Sequence, residues 1–112
     1  MNESKMKIVL NIGCENNNYS VNEILSLCEI EFEFGISRVV SSEYNGNVER
    51  TVIWESTTDM FSFEIIDAIK YLANLMTQEC IAAEINGIGI LVHGATANEN
   101  TPTEFDANYF VN

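Results

Sequence analysis

Hydrophobic and polar residues follow two different periods in the first third of the chain, and the change of period predicts a strand followed by a helix. The run Lys7–Ile12 places apolar residues on both faces, which is typical of a strand in the interior of a sheet. Ser20 and Glu23 form a capping box that begins a helix, and Gly35 is a natural stop at its end. Between them, apolar residues recur along one helical face: Val21, Ile24, Leu25, Cys28 and Phe32.

The end of this helix conflicts with a second pattern. Residues Glu29–Phe34 alternate between acidic and apolar side chains, as a half-buried strand does. The spacing that precedes them favours a helix that continues to about Glu31 and then changes conformation. Helix and strand therefore both remain open for residues 29–34.

An Asn-Gly pair predicts a first β-hairpin. The runs Ile36–Tyr44 and Glu49–Thr57 are rich in β-branched residues and flank the turn Asn45-Gly46-Asn47. The long amphipathic stretch Ser62–Met76 follows and predicts a second helix, whose apolar face carries Ile65, Ile69, Leu72 and Met76.

A second Asn-Gly pair predicts a tighter hairpin near the end of the chain. It lies at Asn86-Gly87, between the apolar runs Cys80–Ile85 and Ile88–His93. The order of elements predicts an α+β fold, namely a ferredoxin-like split βαββαβ arrangement with an added strand from the C-terminal hairpin. Right-handed crossovers place both helices on one face of the sheet and leave the other face open to water or to a partner.

The pattern predicts one domain, residues 1–94, and a C-terminal tail, residues 95–112. The tail is polar up to Glu104 and then carries Phe105, Tyr109 and Phe110. We expect it to pack on the domain or on a partner. These aromatic residues, with Trp54 on the first hairpin, are the candidate interface residues.

Charge is the strongest compositional signal. The 112 residues include 17 acids and 5 bases, a net charge of −12, and 46% are hydrophobic, as in a globular protein. Such a charge disfavours direct binding to nucleic acid or to an anionic membrane and favours basic protein surfaces. A solvated acidic surface explains the same composition, so both interpretations stay open.

Little in the sequence predicts catalysis. Three cysteines without a Cys-x-x-Cys pair, and the absence of a signal-peptide pattern, favour a reduced cytoplasmic location. His93 is the single histidine, so we expect no metal and no cofactor. Glu15 beside Cys14 raises the pKa of that thiol and argues against a reactive thiolate, so we expect no catalytic residues.

Arg38 and Arg50 are the one candidate anion or ligand site. They lie on the two arms of the first predicted hairpin, where they could come together. The alternative is that each forms a surface ion pair, with Glu43 or Glu55.

Several segments together resemble small uncharacterised proteins encoded by tailed phages. They are Lys7–Gly13 (KIVLNIG), Ser20–Leu25, Gln78–Ala82 (QECIA), Gly87–Val92 and the aromatic ending Phe105–Phe110. The resemblance spans roughly residues 6–110, and it carries no assigned activity and no functional residues to transfer.

The first functional hypothesis is a non-enzymatic, host-directed binding protein, such as a counter-defence inhibitor, whose partner is a host protein with a basic surface. The alternative is a homodimer or larger homo-oligomer that sequesters a small nucleotide-like ligand. A structural or accessory protein of the virion is the third.

Overall fold

In the part of the chain that the structure describes, five strands form one antiparallel sheet, and two helices cover one of its faces. The computed structural model describes residues 5–44 and 46–110. The elements are β1 (Met6–Gly13), α1 (Val21–Phe32), β2 (Ile36–Tyr44), β3 (Asn47–Thr58), α2 (Ser62–Leu75), β4 (Cys80–Ile85), β5 (Ile88–His93) and a short 3-10 helix (Ala107–Phe110).

The strand order is β2-β3-β1-β4-β5. The first four strands are arranged as in a split βαββαβ fold, with β1 antiparallel to both β3 and β4, and β5 extends the sheet beyond β4. The predicted α+β class is therefore confirmed, and the order is compatible with the ferredoxin-like arrangement.

The core lies between the sheet and the two helices. Alternate residues of β1 point toward the helices and are fully buried, as are the apolar residues of the α2 stripe. The largest of these buried side chains are Ile8, Leu10, Ile12, Ile65, Ile69, Leu72 and Met76.

Helix α1 begins and ends on identifiable contacts. The Oγ of Ser20 accepts the N–H of Glu23 at 3.3 Å, and the Glu23 carboxylate accepts the N–H of Ser20 at 2.9 Å, which is the predicted capping box. The helix ends at Phe32, because Glu33 adopts a left-handed φ of 65° while its N–H donates to the carbonyl of Glu29 at 2.7 Å. The segment 29–34 is thus helical through Phe32, and Gly35 is not the stop.

Gly35 instead makes room for a buried aromatic ring. A methyl group at this position would overlap the indole of Trp54 and lie 2.7 Å from the Glu55 carbonyl. Trp54 is 1% exposed, and its ring centroid lies 5.9 Å from that of Phe32. Trp54 was expected at an interface, but in this chain it belongs to the core, because β3 turns it toward α1.

Both predicted hairpins are present. Asn86 and Gly87 have φ values of 52° and 83°, the pair of positive angles that a tight Asn-Gly turn requires. In the first hairpin Tyr44 pairs with Asn47, and Gly46 has a φ of 82°. Asn45, the other residue of that predicted turn, lies outside the described residues.

The face of the sheet away from the helices is not fully open. Val40, Ile53 and Ala82 lie on this second face, and each is at most 6% exposed. The described part of the tail lies across this face, as shown by the contacts given below.

We predict that Gly35→Ala lowers the free energy of unfolding by about 1–3 kcal/mol, because the added methyl group overpacks the Trp54 ring. Urea denaturation measures the change. Gly46→Ala is the comparison, since it adds a methyl group where no atom lies within 4 Å and is disfavoured only by the positive φ. In Trp54→Leu, the Gly35→Ala change should be less destabilising. Equal destabilisation in both backgrounds would contradict the proposed contact.

Candidate functional site

The tail is fixed to the sheet at the start of β4 and the end of β5. Thr101 is 3% exposed, and its hydroxyl donates to the Glu79 carboxylate at 2.7 Å. The Nε2 of His93 lies 2.8 Å from the Pro102 carbonyl oxygen. These contacts direct the chain back over the second face.

An aromatic cluster continues this path. Phe105 packs directly on Gly89, where any side chain would overlap its ring. The Phe105 centroid lies 6.2 Å from that of Tyr109 and 5.8 Å from that of Phe110. The three aromatic residues predicted at an interface are half-buried against this chain's own sheet.

The 3-10 helix brings two carbonyl groups over the middle of the sheet. The side-chain amide of Asn11 on β1 donates to the Tyr109 carbonyl. The Arg38 guanidinium on β2 donates to the Phe110 carbonyl at 3.0 Å. The tail therefore crosses the sheet from β5 to β2.

A polar cleft lies where the β1–α1 loop meets the α2–β4 loop. We call it the end cleft; its volume is about 230 Å³. It is lined by Glu15, Asn16, Thr77, Gln78, Glu79 and Cys80.

The backbone of the end cleft adopts positive φ on both sides. Asn16 and Thr77 have φ values of 59° and 54°. The second is a true outlier, because a β-branched residue rarely adopts the left-handed region. The Thr77 hydroxyl donates to the Met76 carbonyl at 2.6 Å and lies 3.2 Å from the Asn18 side-chain oxygen. Strain of this kind clusters at functional sites.

One carboxylate of the end cleft is held in its charged form. Glu15 accepts hydrogen bonds from both the Arg50 Nε, at 3.0 Å, and the Arg50 backbone N–H, at 3.1 Å. The hydrogen bond from the Arg50 side chain lowers the pKa of Glu15, and the backbone bond adds to the effect. Glu79 is the second carboxylate of the cleft, and no basic side chain of the described residues forms an ion pair with it.

The cysteine thiols are poor nucleophiles. Burial raises the pKa of Cys28 to about 12. Burial also raises the pKa of Cys80, with Glu79 adding to it. Burial also raises the pKa of Cys14, because it outweighs the opposing effect of Arg50, and Glu15 raises this pKa further. At neutral pH these groups are protonated thiols.

The structure does not bring Arg38 and Arg50 together. Arg38 pairs with Ile53, and Arg50 pairs with Ser41, so the two arginines project from opposite faces of the β2–β3 hairpin. The ion pair of Arg50 is with Glu15 and not with Glu43 or Glu55.

Arg38 lines a second small cavity on the tail face. We call it the Arg38 cavity; its volume is about 180 Å³, and its lining consists of Ile36, Ser37, Arg38, Ile53 and Glu55. Glu55 lies 3.7 Å from the Lys7 ammonium group. Arg38 and Glu55 thus lie on either side of an apolar surface formed by Ile36 and Ile53.

Several residues of these sites were not predicted. Glu79 and Thr101 form a hydrogen bond although they lie 22 positions apart in the sequence. Asn11 donates to the Tyr109 carbonyl, which is 98 positions away. The segment Gln78–Ala82 stood out only for its resemblance to phage proteins. A polar residue at Asn11 within an apolar strand was the one local signal, because period two places it opposite the core.

Two general properties complete the description. No helix in residues 5–44 and 46–110 is long and apolar enough to cross a membrane. Within the same residues, no group of three or more His, Cys, Asp or Glu is arranged to hold a metal ion.

Two solved structures share this fold. A phage SAM lyase in complex with S-methyl-5′-thioadenosine matches with a TM-score of 0.62 and 11% identity, over 88% of this chain and 96% of that chain. A phage SAM lyase in the apo state matches with a TM-score of 0.58 and 13% identity, over 88% and 99%. No family model and no curated protein matches the sequence.

This comparison corrects the functional prediction. Both similar chains are lyases that act on a small molecule. The hypothesis of a non-enzymatic protein that binds a host protein is therefore wrong, as is the expectation that the chain is not an enzyme. The alternative, a small nucleotide-like ligand, agrees better with these neighbours. Both are phage proteins, which is consistent with a phage origin.

We predict that Arg50→Met raises the pKa of Glu15 toward its ordinary value, because both the hydrogen bond and the positive charge are lost. A carbon-13 NMR titration of the carboxyl group measures it, and Arg38→Met, on the other face, should leave this pKa unchanged. A lowered pKa means that the pair contributes to stability at neutral pH and that the contribution is lost as pH falls through that pKa. An unchanged Glu15 pKa in Arg50→Met would contradict the assignment.

Proposed function

We propose that this chain is a phage-encoded enzyme that acts in the host cytoplasm on S-adenosylmethionine and releases S-methyl-5′-thioadenosine. The observation that carries the proposal is the shared fold, which extends over 88% of this chain and 96% of a phage SAM lyase. A fold alone hosts many activities, so the charge and the cavities of this chain must also suit the substrate.

The charge of the chain suits this substrate. S-adenosylmethionine carries a sulfonium, an ammonium and a carboxylate, and is therefore a net cation at neutral pH. The chain has a net charge of −12, which raises the local concentration of a small cation. Glu79 lines the end cleft and supplies the carboxylate that would face a sulfonium, because Arg50 already neutralises Glu15.

The reaction makes modest chemical demands. When the bond between the sulfonium sulfur and the γ-carbon breaks, the electron pair goes to sulfur and leaves a neutral thioether. The substrate's own carboxylate oxygen bonds to that carbon and closes a lactone, so atoms and charges balance. The protein must hold the methionine part of the substrate so that its carboxylate lies next to the γ-carbon. The reaction needs no cysteine nucleophile, which agrees with the raised pKa of Cys14, Cys28 and Cys80.

We also propose that the working form is a homo-oligomer. The end cleft and the Arg38 cavity measure about 230 and 180 Å³. Both are smaller than the roughly 300–1,000 Å³ that ligand sites usually have. A second copy would enclose the remainder of the substrate. The edge strand β2 and the loop before it expose Phe34 at 81% and Ile36 at 70%, which provides an apolar contact.

We expect light scattering to give the purified protein a mass of at least two monomers, each of 12.6 kDa. Phe34→Ser combined with Ile36→Ser should shift it to the monomer, since the apolar contact is lost. Phe63→Ser, at a residue 66% exposed on α2, is the control and should not dissociate it. A monomer at all concentrations would contradict the oligomer.

We expect the protein to convert S-adenosylmethionine to S-methyl-5′-thioadenosine, as followed by liquid chromatography with mass detection. Glu79→Gln removes one carboxylate of the end cleft and should slow conversion by about tenfold or more. Glu29→Gln, on the surface of α1, is the matched control with unchanged rate. Intact substrate after prolonged incubation with folded protein would refute the activity.

A second candidate function is binding without turnover, which sequesters the ligand. It is supported by the fold alone, which in one similar protein binds S-methyl-5′-thioadenosine. Calorimetry that shows binding of S-adenosylmethionine, together with no product, would select this candidate.

A further inference from the structure

Glu79 is the carboxylate of the end cleft that has no ion pair among the described residues. It lies between α2 and β4 and is exposed. A glutamate side chain has three rotatable bonds, so an exposed one without a partner spreads over many rotamers. A carboxylate that must meet a cationic group at one place therefore needs another group to hold it.

Thr101, on the tail, supplies that group. Its side chain is buried, and its hydroxyl donates to the Oε1 of Glu79 at 2.7 Å, a length typical of a charge-assisted bond from a hydroxyl to a carboxylate. The bond uses one oxygen of the carboxylate. No described residue donates a hydrogen bond to the other oxygen, Oε2, so that oxygen can accept a ligand.

The direction of the Thr101 hydroxyl proton is fixed by its neighbours. A hydroxyl has one proton to donate and lone pairs that accept. The backbone N–H of Asn98 donates to the Thr101 Oγ at 2.9 Å, and an ionised carboxylate can only accept. The proton of the hydroxyl therefore points at Glu79.

Other contacts fix the turn that carries Thr101. The Thr101 N–H donates to the Asn98 carbonyl at 3.0 Å, and the Asn98 side-chain oxygen accepts the N–H of Asn100 at 2.8 Å. On the other side of the bond, the Glu79 carbonyl accepts the N–H of Gly94 at 2.9 Å. None of these three hydrogen bonds uses the Thr101 hydroxyl, so its removal should release the carboxylate while the backbone on both sides stays in place.

We propose that Thr101 is a positioning residue, whose hydroxyl holds the Glu79 carboxylate at the end cleft to meet the cationic group of the substrate. The inference deepens the proposed function and rests on it only for the identity of the substrate. Because Thr101 acts through a negative charge, its effect is confined to cationic ligands. The tail thus contributes to the site through a residue that does not itself line the cleft.

Two probes that have no sulfonium to cleave test this role by calorimetry. Sinefungin carries an ammonium group in place of the sulfonium, and S-adenosylhomocysteine is the neutral thioether of the same skeleton. Thr101→Val removes the hydroxyl and keeps the shape, so it should weaken sinefungin binding about three- to tenfold, as expected for one lost hydrogen bond. It should leave S-adenosylhomocysteine binding unchanged. Thr101→Ser keeps the hydroxyl and should retain the native affinity for sinefungin.

Thr58→Val is the matched control. Thr58 is also buried, and its hydroxyl oxygen also accepts a backbone N–H, that of Met60 at 3.2 Å. It pairs with Met6, at the end of β1 away from the end cleft, so its loss should leave both affinities unchanged. In Glu79→Gln, Thr101→Val should cause no further loss, because the charge through which Thr101 acts is gone.

The order of the Glu79 side chain gives a measurement that needs no ligand. Three-bond NMR couplings to its γ-carbon should indicate one χ1 rotamer in the native chain and in Thr101→Ser, and averaging over rotamers in Thr101→Val. Averaged couplings in the native chain would overturn the inference even if Thr101→Val did not fold.

The outcomes separate this inference from the proposed function. If the native chain binds neither probe, if Thr101→Val weakens both probes equally, or if Glu79 stays equally ordered in Thr101→Val, then the positioning role is refuted, even when S-adenosylmethionine is cleaved. If the order of Glu79 and the affinity for sinefungin both follow the hydroxyl while S-adenosylmethionine stays intact, then the positioning role stands and the lyase activity fails.

Discussion

The register of β1 controls both the core and the candidate site. Its alternate residues Ile8, Leu10 and Ile12 are fully buried against the helices. Because side chains alternate along a strand, the same register places Asn11 on the opposite face, under the tail. A shift by one residue would exchange the two faces and would lose the core and the hydrogen bond together. Since β1 pairs with both β3 and β4, it also positions Ile53 and Ala82 on that second face.

Local signals predicted most of the fold. The capping box at Ser20 and the turn at Asn86-Gly87 depend on neighbours within three positions, so the sequence shows them directly. The prediction that Gly35 ends the first helix was wrong, because Glu33 ends it. Gly35 instead accommodates the ring of Trp54, a contact between residues that are distant in the sequence.

The candidate site was less predictable for the same reason. Arg38 was identified by its type alone, since no periodic pattern shows that a tail carbonyl seventy-two positions away accepts its hydrogen bond. The prediction that Arg38 and Arg50 come together was wrong, because Arg50 pairs with Ser41, three positions from Arg38, and an odd offset sends the two side chains to opposite faces. The net charge of −12 fitted a basic partner and a solvated surface equally, because charge alone does not identify what it attracts.

The path of the tail also has a consequence for how the molecule can open. Residues 95–110 follow β5 and take part in none of the strand pairings, so they can lift from the second face while the sheet stays paired. The floor formed by Ile53 and Ala82 then loses its cover, and an apolar surface lies exposed beside the Asn11 amide. Local opening of the tail is therefore the event that exposes the second face to association with other chains.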